Sequence, residues 1–229
     1  MAEKATQRKL TAILSADVKG YSKLMGDDDE STVNTITAYR EIIADLIKNH
    51  QGRVVDTPGD NILAEFNGAL NAVSSAIDIQ QRLAIENRKL PSSRRMDFRI
   101  GINLGDVLHQ DERIYGDGVN IAARIESLAD PGGISISRGV FDQVKKKVRQ
   151  GFEYMGEHEV KNISEPVRIY RVLLGEEFEG KIIGELSGRR TKLEKPYAIF
   201  LTLLLVFSVS LFWYAYQKLN LIEPASIDR

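Results

Sequence analysis

The chain has 229 residues, 43% hydrophobic and 28% charged, and its 31 basic and 32 acidic side chains leave a formal net charge of −1. That hydrophobic share supports a packed core rather than a disordered tail, and the balanced charge argues against nucleic-acid binding by phosphate attraction. Cysteine is absent and the three histidines, His50, His109 and His158, are scattered, which argues against a disulfide scaffold, a zinc ribbon, a thiol nucleophile or a histidine-rich metal site.

In chain order, Met1–Lys9 reads as a charged tail without the apolar stretch of a signal peptide. Leu10–Val18 is a buried strand ending in an acid. Ser31–Asn49 repeats Val33, Ile36, Tyr39, Ile43 and Leu46 at helical spacing. Arg53–Asp56 and Ile62–Phe66 are short strands joined by the turn sequence Thr57-Pro58-Gly59-Asp60-Asn61. Ala69–Asn87 is helical, and Met96–Leu104 is a strand with Phe98, Ile100, Ile102 and Leu104 alternating. Gly118–Leu128 is a helix, Ile134–Ser137 a strand and Arg138–Val148 a helix. Phe152–Val160 and Val167–Leu173 are the last strands. This order predicts an α+β fold, a mostly antiparallel sheet backed by helices, over residues 10–174.

A mixed-charge linker, 175–195, leads to a different kind of segment. Pro196–Gln217 holds 22 residues without a charge, with Tyr197 near one end and Trp213, Tyr214 and Tyr216 near the other. At ~1.5 Å per residue this makes roughly 33 Å of helix, enough for a hydrocarbon core of about 30 Å. The aromatic ends suit a membrane interface, so one C-terminal transmembrane helix is expected. Arg189, Arg190, Lys192 and Lys195 precede the span and only Lys218 closely follows it. The positive-inside rule then puts the N-terminal body on the cytoplasmic side of a cell inner membrane, with 218–229 as a short tail beyond a single pass.

Three places can do chemistry. Asp17 ends an apolar strand and precedes Val18-Lys19-Gly20-Tyr21-Ser22. An acid beside a glycine-containing loop can hold a divalent cation while loop amides hold phosphate oxygens. Asp60, at a hairpin tip, could meet Asp17 if their strands are neighbours; two carboxylates suit Mg²⁺ or Mn²⁺. Asn120 and Arg124 stand four apart on one helix face, where an amide and a guanidinium could hold a ribose and a phosphate. Taken singly, the first is ordinary cap chemistry, the second ordinary turn chemistry, and the third a solvated helix face.

Together they form a recognisable pattern. The chain resembles the class III nucleotide cyclase catalytic domain in five ordered blocks across about residues 8–174. These are Ile13-Leu14-Ser15-Ala16-Asp17-Val18-Lys19-Gly20-Tyr21-Ser22, Gly59-Asp60-Asn61-Ile62-Leu63-Ala64-Glu65-Phe66 and Arg99-Ile100-Gly101-Ile102-Asn103-Leu104-Gly105. The fourth runs Tyr115-Gly116-Asp117-Gly118-Val119-Asn120-Ile121-Ala122-Ala123-Arg124-Ile125-Glu126. The last joins Val160-Lys161-Asn162-Ile163 to Pro166-Val167-Arg168-Ile169-Tyr170.

The resemblance implies a ferredoxin-like, palm-type sheet and the conversion of a nucleoside triphosphate to its 3′,5′-cyclic monophosphate and pyrophosphate. It implies two Mg²⁺ or Mn²⁺ ions on Asp17, the carbonyl of Val18, and Asp60. One ion would acidify the ribose 3′-hydroxyl and the other would hold the triphosphate. Amides of Lys19, Gly20, Tyr21 and Ser22 would cradle the β- and γ-phosphates, with Lys161 a further phosphate contact. Asn120 would orient the ribose and Arg124 would stabilise charge on the α-phosphate. The family's sites form across a homodimer interface, Asp17 and Asp60 from one chain and Asn120 and Arg124 from the other. The membrane helix would concentrate both chains in a plane.

The base-reading positions depart from the family. Where its adenylate cyclases commonly place lysine and aspartate, this chain has Asp56 and Arg113, with the charges exchanged; it does not match the glutamate–cysteine pair of guanylate cyclases either. Asp56 and Arg113 offer compatible hydrogen bonds to adenine, guanine and the pyrimidines. The family's usual substrate makes ATP the first expectation, with GTP and pyrimidine nucleotides open. A catalytically silent dimerisation or sensing module is the rival from another class, and it would need none of the four retained residues.

Overall fold

The computed structural model describes residues 7–160, 163, 165–184, 208, 210, 211 and 213–217. Their catalytic-domain part builds one nine-stranded sheet with five α-helices. The strands are β1 (Gln7–Val18), β2 (Gly52–Asp56), β3 (Ile62–Phe66), β4 (Phe98–Gln110) and β5 (Arg113–Tyr115). They continue with β6 (Ile134–Ser137), β7 (Gly151–His158), β8 (Val167–Leu173) and β9 (Ile182–Ile183). The helices are α1 (Tyr21–Asp27), α2 (Asp29–Asn49), α3 (Ala69–Arg88), α4 (Asp117–Ser127) and α5 (Arg138–Val144). The strand order is β2-β3-β1-β4-β6-β8-β7-β9, with β5 paired to β4. Only β4–β6 and β7–β9 run parallel, so the sheet is mostly antiparallel as the element order implied.

The strand period of two divides β1 and β4 between two layers. Ala12, Leu14, Ala16 and Val18 join Phe98, Ile100 and Ile102 in the main core, packed with buried residues of α2, α3 and α5. The alternate residues face α4, where Ile13, Val107, Ile114 and Ala122 form a second, smaller cluster. Helix α2 starts at an Asp28 cap whose carboxylate accepts from the Ser31 amide at 3.0 Å, with Asp29 and Glu30 in its positive-ended first turn and Lys48 in its last.

One polar knot pins α2, α3 and the start of β4 together. Asn87 accepts from the Tyr39 hydroxyl at 2.9 Å and the Met96 amide at 3.0 Å, and donates to the Met96 carbonyl at 2.9 Å. Burial drives the Tyr39 hydroxyl pKa up to about 12. Asn87→Leu strips buried groups of their partners and should cost about 2–3 kcal/mol, read as a lower urea midpoint with an unchanged slope.

Several elements differ from expectation. Helix α1 was not foreseen; it has seven residues and none is buried. Strand β4 runs six residues beyond Leu104 and turns back into β5, and the turn residue Asp111 has φ 56°. Helix α5 stops at Val144, four residues before the expected end, where the chain goes into turns through the lysine run. Strand β9 lies inside the stretch read as linker, and Phe152 donates to the Lys181 carbonyl at 2.8 Å beside it.

Residues 186–229 form a separate compact unit. The expected membrane span, 196–217, lies largely outside the described residues. Its described positions are helical, with Leu211, Trp213, Tyr214 and Tyr216 exposed. Among the described residues no helix is long and apolar enough to cross a membrane.

Candidate active site

The sheet register places the first acid. Asp17 pairs with Arg99 across the β1–β4 ladder, and Ala16 pairs with Ile62 across β1–β3. One step beyond that pair lie Asp17 on one side and Asn61, preceded by Asp60, on the other. Asp60 sits in a turn closed by the Asn61 amide donating to the Pro58 carbonyl at 3.0 Å, with Gly59 at φ 60°. The expected neighbourhood of Asp17 and Asp60 is therefore present in a single chain.

Arg99 dominates what surrounds Asp17. Its Nε donates to Asp17 Oδ1 at 3.0 Å and its Nη2 to Oδ2 at 2.5 Å, a forked pair that lets one guanidinium serve both oxygens. Nη1 donates to the Ser127 carbonyl at 3.1 Å, and Nη2 stands 3.4 Å from Glu126 Oε1. Glu126 is a buried acid on the inner face of α4. Its Oε2 accepts from Ser15 at 3.2 Å and from Asn61 Nδ2 at 3.5 Å. Burial, and then the charge and hydrogen bond of Asp17, raise its pKa to about 8 against the opposing pull of Arg99 and Ser15.

The residues present fit a divalent cation. Asp17 and Asp60 both act electrostatically on the single guanidinium of Arg99, two carboxylates against one positive charge. The donors are all oxygen, which suits hard ions. Among the described residues no group of three or more His, Cys, Asp or Glu side chains is arranged to hold a metal. Asp17 and Asp60 would be the protein ligands, and the phosphates of a substrate would supply others.

Helix α4 lies close on β4 because Gly101 and Gly105 leave room for it, and Asn103 between them donates to the Gly118 carbonyl at 3.2 Å. Ala122, Ile125 and Glu126 turn inward, whereas Asn120 and Arg124 are exposed. At about 100° per residue, Arg124 stands roughly 200° around the helix from Glu126. The structure thus joins Asp17 to Asp60 and presents Asn120 and Arg124 on the outer face of α4.

The remaining expectations fare unevenly. Val18 closes the β1–β4 ladder opposite Phe98 with its side chain buried. The Lys19 amide donates to the Asp97 carbonyl at 3.0 Å, so it is already engaged and cannot also cradle phosphate as expected. Gly20 adopts φ 76° and opens α1, leaving the amides of Tyr21 and Ser22 in the first turn, where a helix has no carbonyls for them. Lys161 lies outside the described residues. Asp56 ends β2 after a bulge and accepts from the Thr57 amide at 2.9 Å, while Arg113 is exposed on β5; the described contacts do not pair them. Nearby, Arg53 ties β2 to the β4–β5 turn through the Glu112 carbonyl at 2.9 Å. Arg99 and Glu126 lie inside the matching sequence blocks, and the contacts of both depend on strand and helix pairing. The visible signal was an acid at the inward i+4 and i+8 positions from Ala122 and Gly118.

Residues 3–173 match the family model of the adenylate and guanylate cyclase catalytic domain. The chain belongs to that family. A Rhizobium meliloti relative bearing the name "Putative adenylate cyclase 3" is 47% identical over 171 residues, 74% of this chain and 29% of the relative. The chain likewise spans only 20% and 28% of two other curated relatives. The adenylate/guanylate cyclase/hydrolase structure from Silicibacter pomeroyi is 38% identical at a TM-score of 0.70, covering 74% of this chain and 99% of that one. The guanylyl cyclase Cya2 structure is 27% identical at a TM-score of 0.64, covering 76% of this chain and 96% of that one. Cyclases of either named base thus share this fold, and the fold does not choose between them.

Proposed function

We propose that this cyclase domain converts a nucleoside triphosphate, ATP first, into the 3′,5′-cyclic monophosphate and pyrophosphate, at two sites shared by a homodimer. The observation that carries the reading is the division of labour within one chain. Asp17 and Asp60 stand together at the end of β1 and before β3, while Asn120 and Arg124 point outward from α4. An exposed amide and guanidinium four residues apart are placed to complete a site on a second copy.

In the reaction the ribose 3′-oxygen attacks the α-phosphorus, the bond from that phosphorus to the bridging oxygen breaks, pyrophosphate leaves with that oxygen, and the 3′-hydroxyl proton passes to solvent water. Bound Mg²⁺ or Mn²⁺ would supply charge neutralisation and an acidified hydroxyl. Asp17 and Asp60 would hold those ions. Asn120 of one copy orients the ribose on the other, and Arg124 stabilises the charge that builds on the α-phosphate oxygens. The first-turn amides of Tyr21 and Ser22 offer donors to the terminal phosphates.

ATP is placed first because the 47%-identical relative bears an adenylate cyclase name. GTP is second, because a guanylyl cyclase structure shares this fold at 27% identity; Asp56 and Arg113 have donors and acceptors compatible with either purine. The test incubates full-length protein with Mn²⁺ and ATP, GTP, CTP or UTP separately, and identifies products by mass spectrometry. One dominant cyclic product, absent from Asp17→Ala and from Asp60→Ala, is expected. No product from any nucleotide would favour a silent module. Asp56→Lys with Arg113→Asp should shift the product ratio toward cyclic AMP by about 10-fold or more, since each correctly placed polar pair discriminates strongly.

The same reading places 196–217 across a membrane as a single pass, with the catalytic domain on the cytoplasmic side. The uncharged length of that segment and its basic N-terminal flank support this. Full-length protein should stay with membranes after an alkaline carbonate wash, and a chain ending at Glu185 should be released.

A further inference from the structure

We propose that Arg53 is a positioning residue for base choice, setting the distance between the end of β2, which carries Asp56, and the β4–β5 hairpin, which carries Arg113. This deepens the reading that those two side chains meet the base, and it rests on that reading. Every guanidinium nitrogen of Arg53 is engaged. Nε and Nη2 donate to Glu65 Oε1 at 3.1 and 2.7 Å, while Nη1 turns the other way, to the Glu112 carbonyl at 2.9 Å and the Glu112 carboxylate at 3.2 Å. Glu65 is a buried acid on β3, and its second oxygen stands 3.1 Å from His109 Nε2 of β4. One arginine thus joins the edge strand, its neighbour and the turn residue immediately before Arg113.

The bulge in β2 gives this contact its bearing on the base. Arg53 pairs with Glu65, and after the register shift Asp56 pairs with Leu63. Partners in a ladder share a face, and so do the alternate residues Leu63 and Glu65. Arg53 and Asp56 therefore lie on one face of the sheet, where an unbroken strand would put them on opposite faces. The hairpin folds over that same face: Ile114 is buried there in the smaller apolar cluster, with Val55 and Leu63 packed against it. Apolar packing anchors the hairpin through Ile114 but leaves Glu112 and Arg113 exposed. β2 and β5 are in contact, and Asp56 and Arg113 carry opposite charges. A hairpin tip free to tilt would let these two pair with each other and leave the base unread. By holding the Glu112 backbone, Arg53 keeps Arg113 at a set remove from Asp56. The carbonyl contact is the effective one, because the Glu112 side chain is 93% exposed and its ion pair is screened by water.

The probes are the α,β-methylene analogues of ATP, GTP, CTP and UTP, which cannot be cyclised. Each is titrated into full-length protein with Mn²⁺ and followed by calorimetry, so the readout needs no turnover. The quantity read is the ratio of affinities between the best-bound analogue and the next. Arg53→Lys keeps a charge on Glu65 but cannot reach the Glu112 carbonyl at the same time. It should lower that ratio about 5- to 10-fold, the scale of one misplaced polar pair, with a melting temperature close to the parent's. Glu112→Ala keeps the backbone carbonyl and should leave the ratio within about 2-fold of the parent. In an Arg113→Ala background, Arg53→Lys should change the ratio no further, because its effect passes through Arg113.

An equal fall in affinity for all four analogues, or a further loss on top of Arg113→Ala, would reduce Arg53 to a structural ion pair and overturn the proposal. Failure of the underlying reading looks different. Asp56→Ala and Arg113→Ala would then leave the ratio unchanged, or the parent would bind all four analogues alike.

Discussion

Mixing chains that carry Asp17→Ala with chains that carry Arg124→Ala should restore cyclase activity that neither has alone. Each variant by itself should fall by at least about 100-fold, because one loses a metal ligand and the other a charge aimed at the transition state. In a symmetric dimer an equal mixture makes half its dimers mixed, each with one intact site, so about a quarter of the parental rate per chain should return. The geometry behind this is the outward aspect of Asn120 and Arg124, opposite the inward Glu126. The measurement is product formation against mixing ratio, which should peak at equal amounts. A flat, inactive series would mean that each chain completes its own site or that no site is shared.

The second large effect is expected at Gly101. A Cβ there would run into the backbone of α4 at Ala122 and Glu126, atoms that no side-chain rotation can move aside. Gly101→Val should therefore cost about 3 kcal/mol or more, at the upper end for overpacking. In a domain of this size that lowers the melting temperature by roughly 6–12 °C. Activity should fall further than the folded fraction does, because α4 must lift from β4 and takes Glu126 away from Asp17. Gly105→Ala is the milder comparison, since its Cβ would meet Gly118 Cα at 3.0 Å. Thermal melts and cyclase rates on the same preparations check both statements. Equal melting temperatures for Gly101→Val and the parent would show that α4 yields without cost.

Much of this was readable from the chain where a pattern was long or a turn was strongly marked. The bounds of β3, β6 and β8 came out as observed because apolar runs end there at recognisable turn residues. The β4–β5 hairpin escaped because its turn centres on Asp111-Glu112, with a left-handed Asp111 and no glycine to announce it. Helix α1 escaped because a seven-residue helix with no buried face has no hydrophobic period. Asp17 and Asp60 were legible as separate motifs, but their adjacency depended on β1 and β3 being paired. Arg99 looked like an ordinary polar position in an alternating strand; only the cross-strand register, Asp17 opposite Arg99, gives it a role. The engagement of the Lys19 amide with Asp97 likewise belongs to tertiary pairing and leaves no local trace.

The longest ladder in the molecule carries a consequence for biogenesis. β1 pairs with β4 from Gln7 opposite His109 to Val18 opposite Phe98. Two strands so distant in sequence cannot meet until the intervening helices and hairpin have been synthesised, and closing that loop is a slow, non-local event. Until then the apolar run Leu10-Thr11-Ala12-Ile13-Leu14 leaves the ribosome with its hydrogen-bonding edges unmatched, the kind of segment that other nascent chains or chaperones capture first. Asp17 thus gains its neighbours in steps: the Asp60 turn with β3, Arg99 with β4, and Glu126 only when α4 has followed.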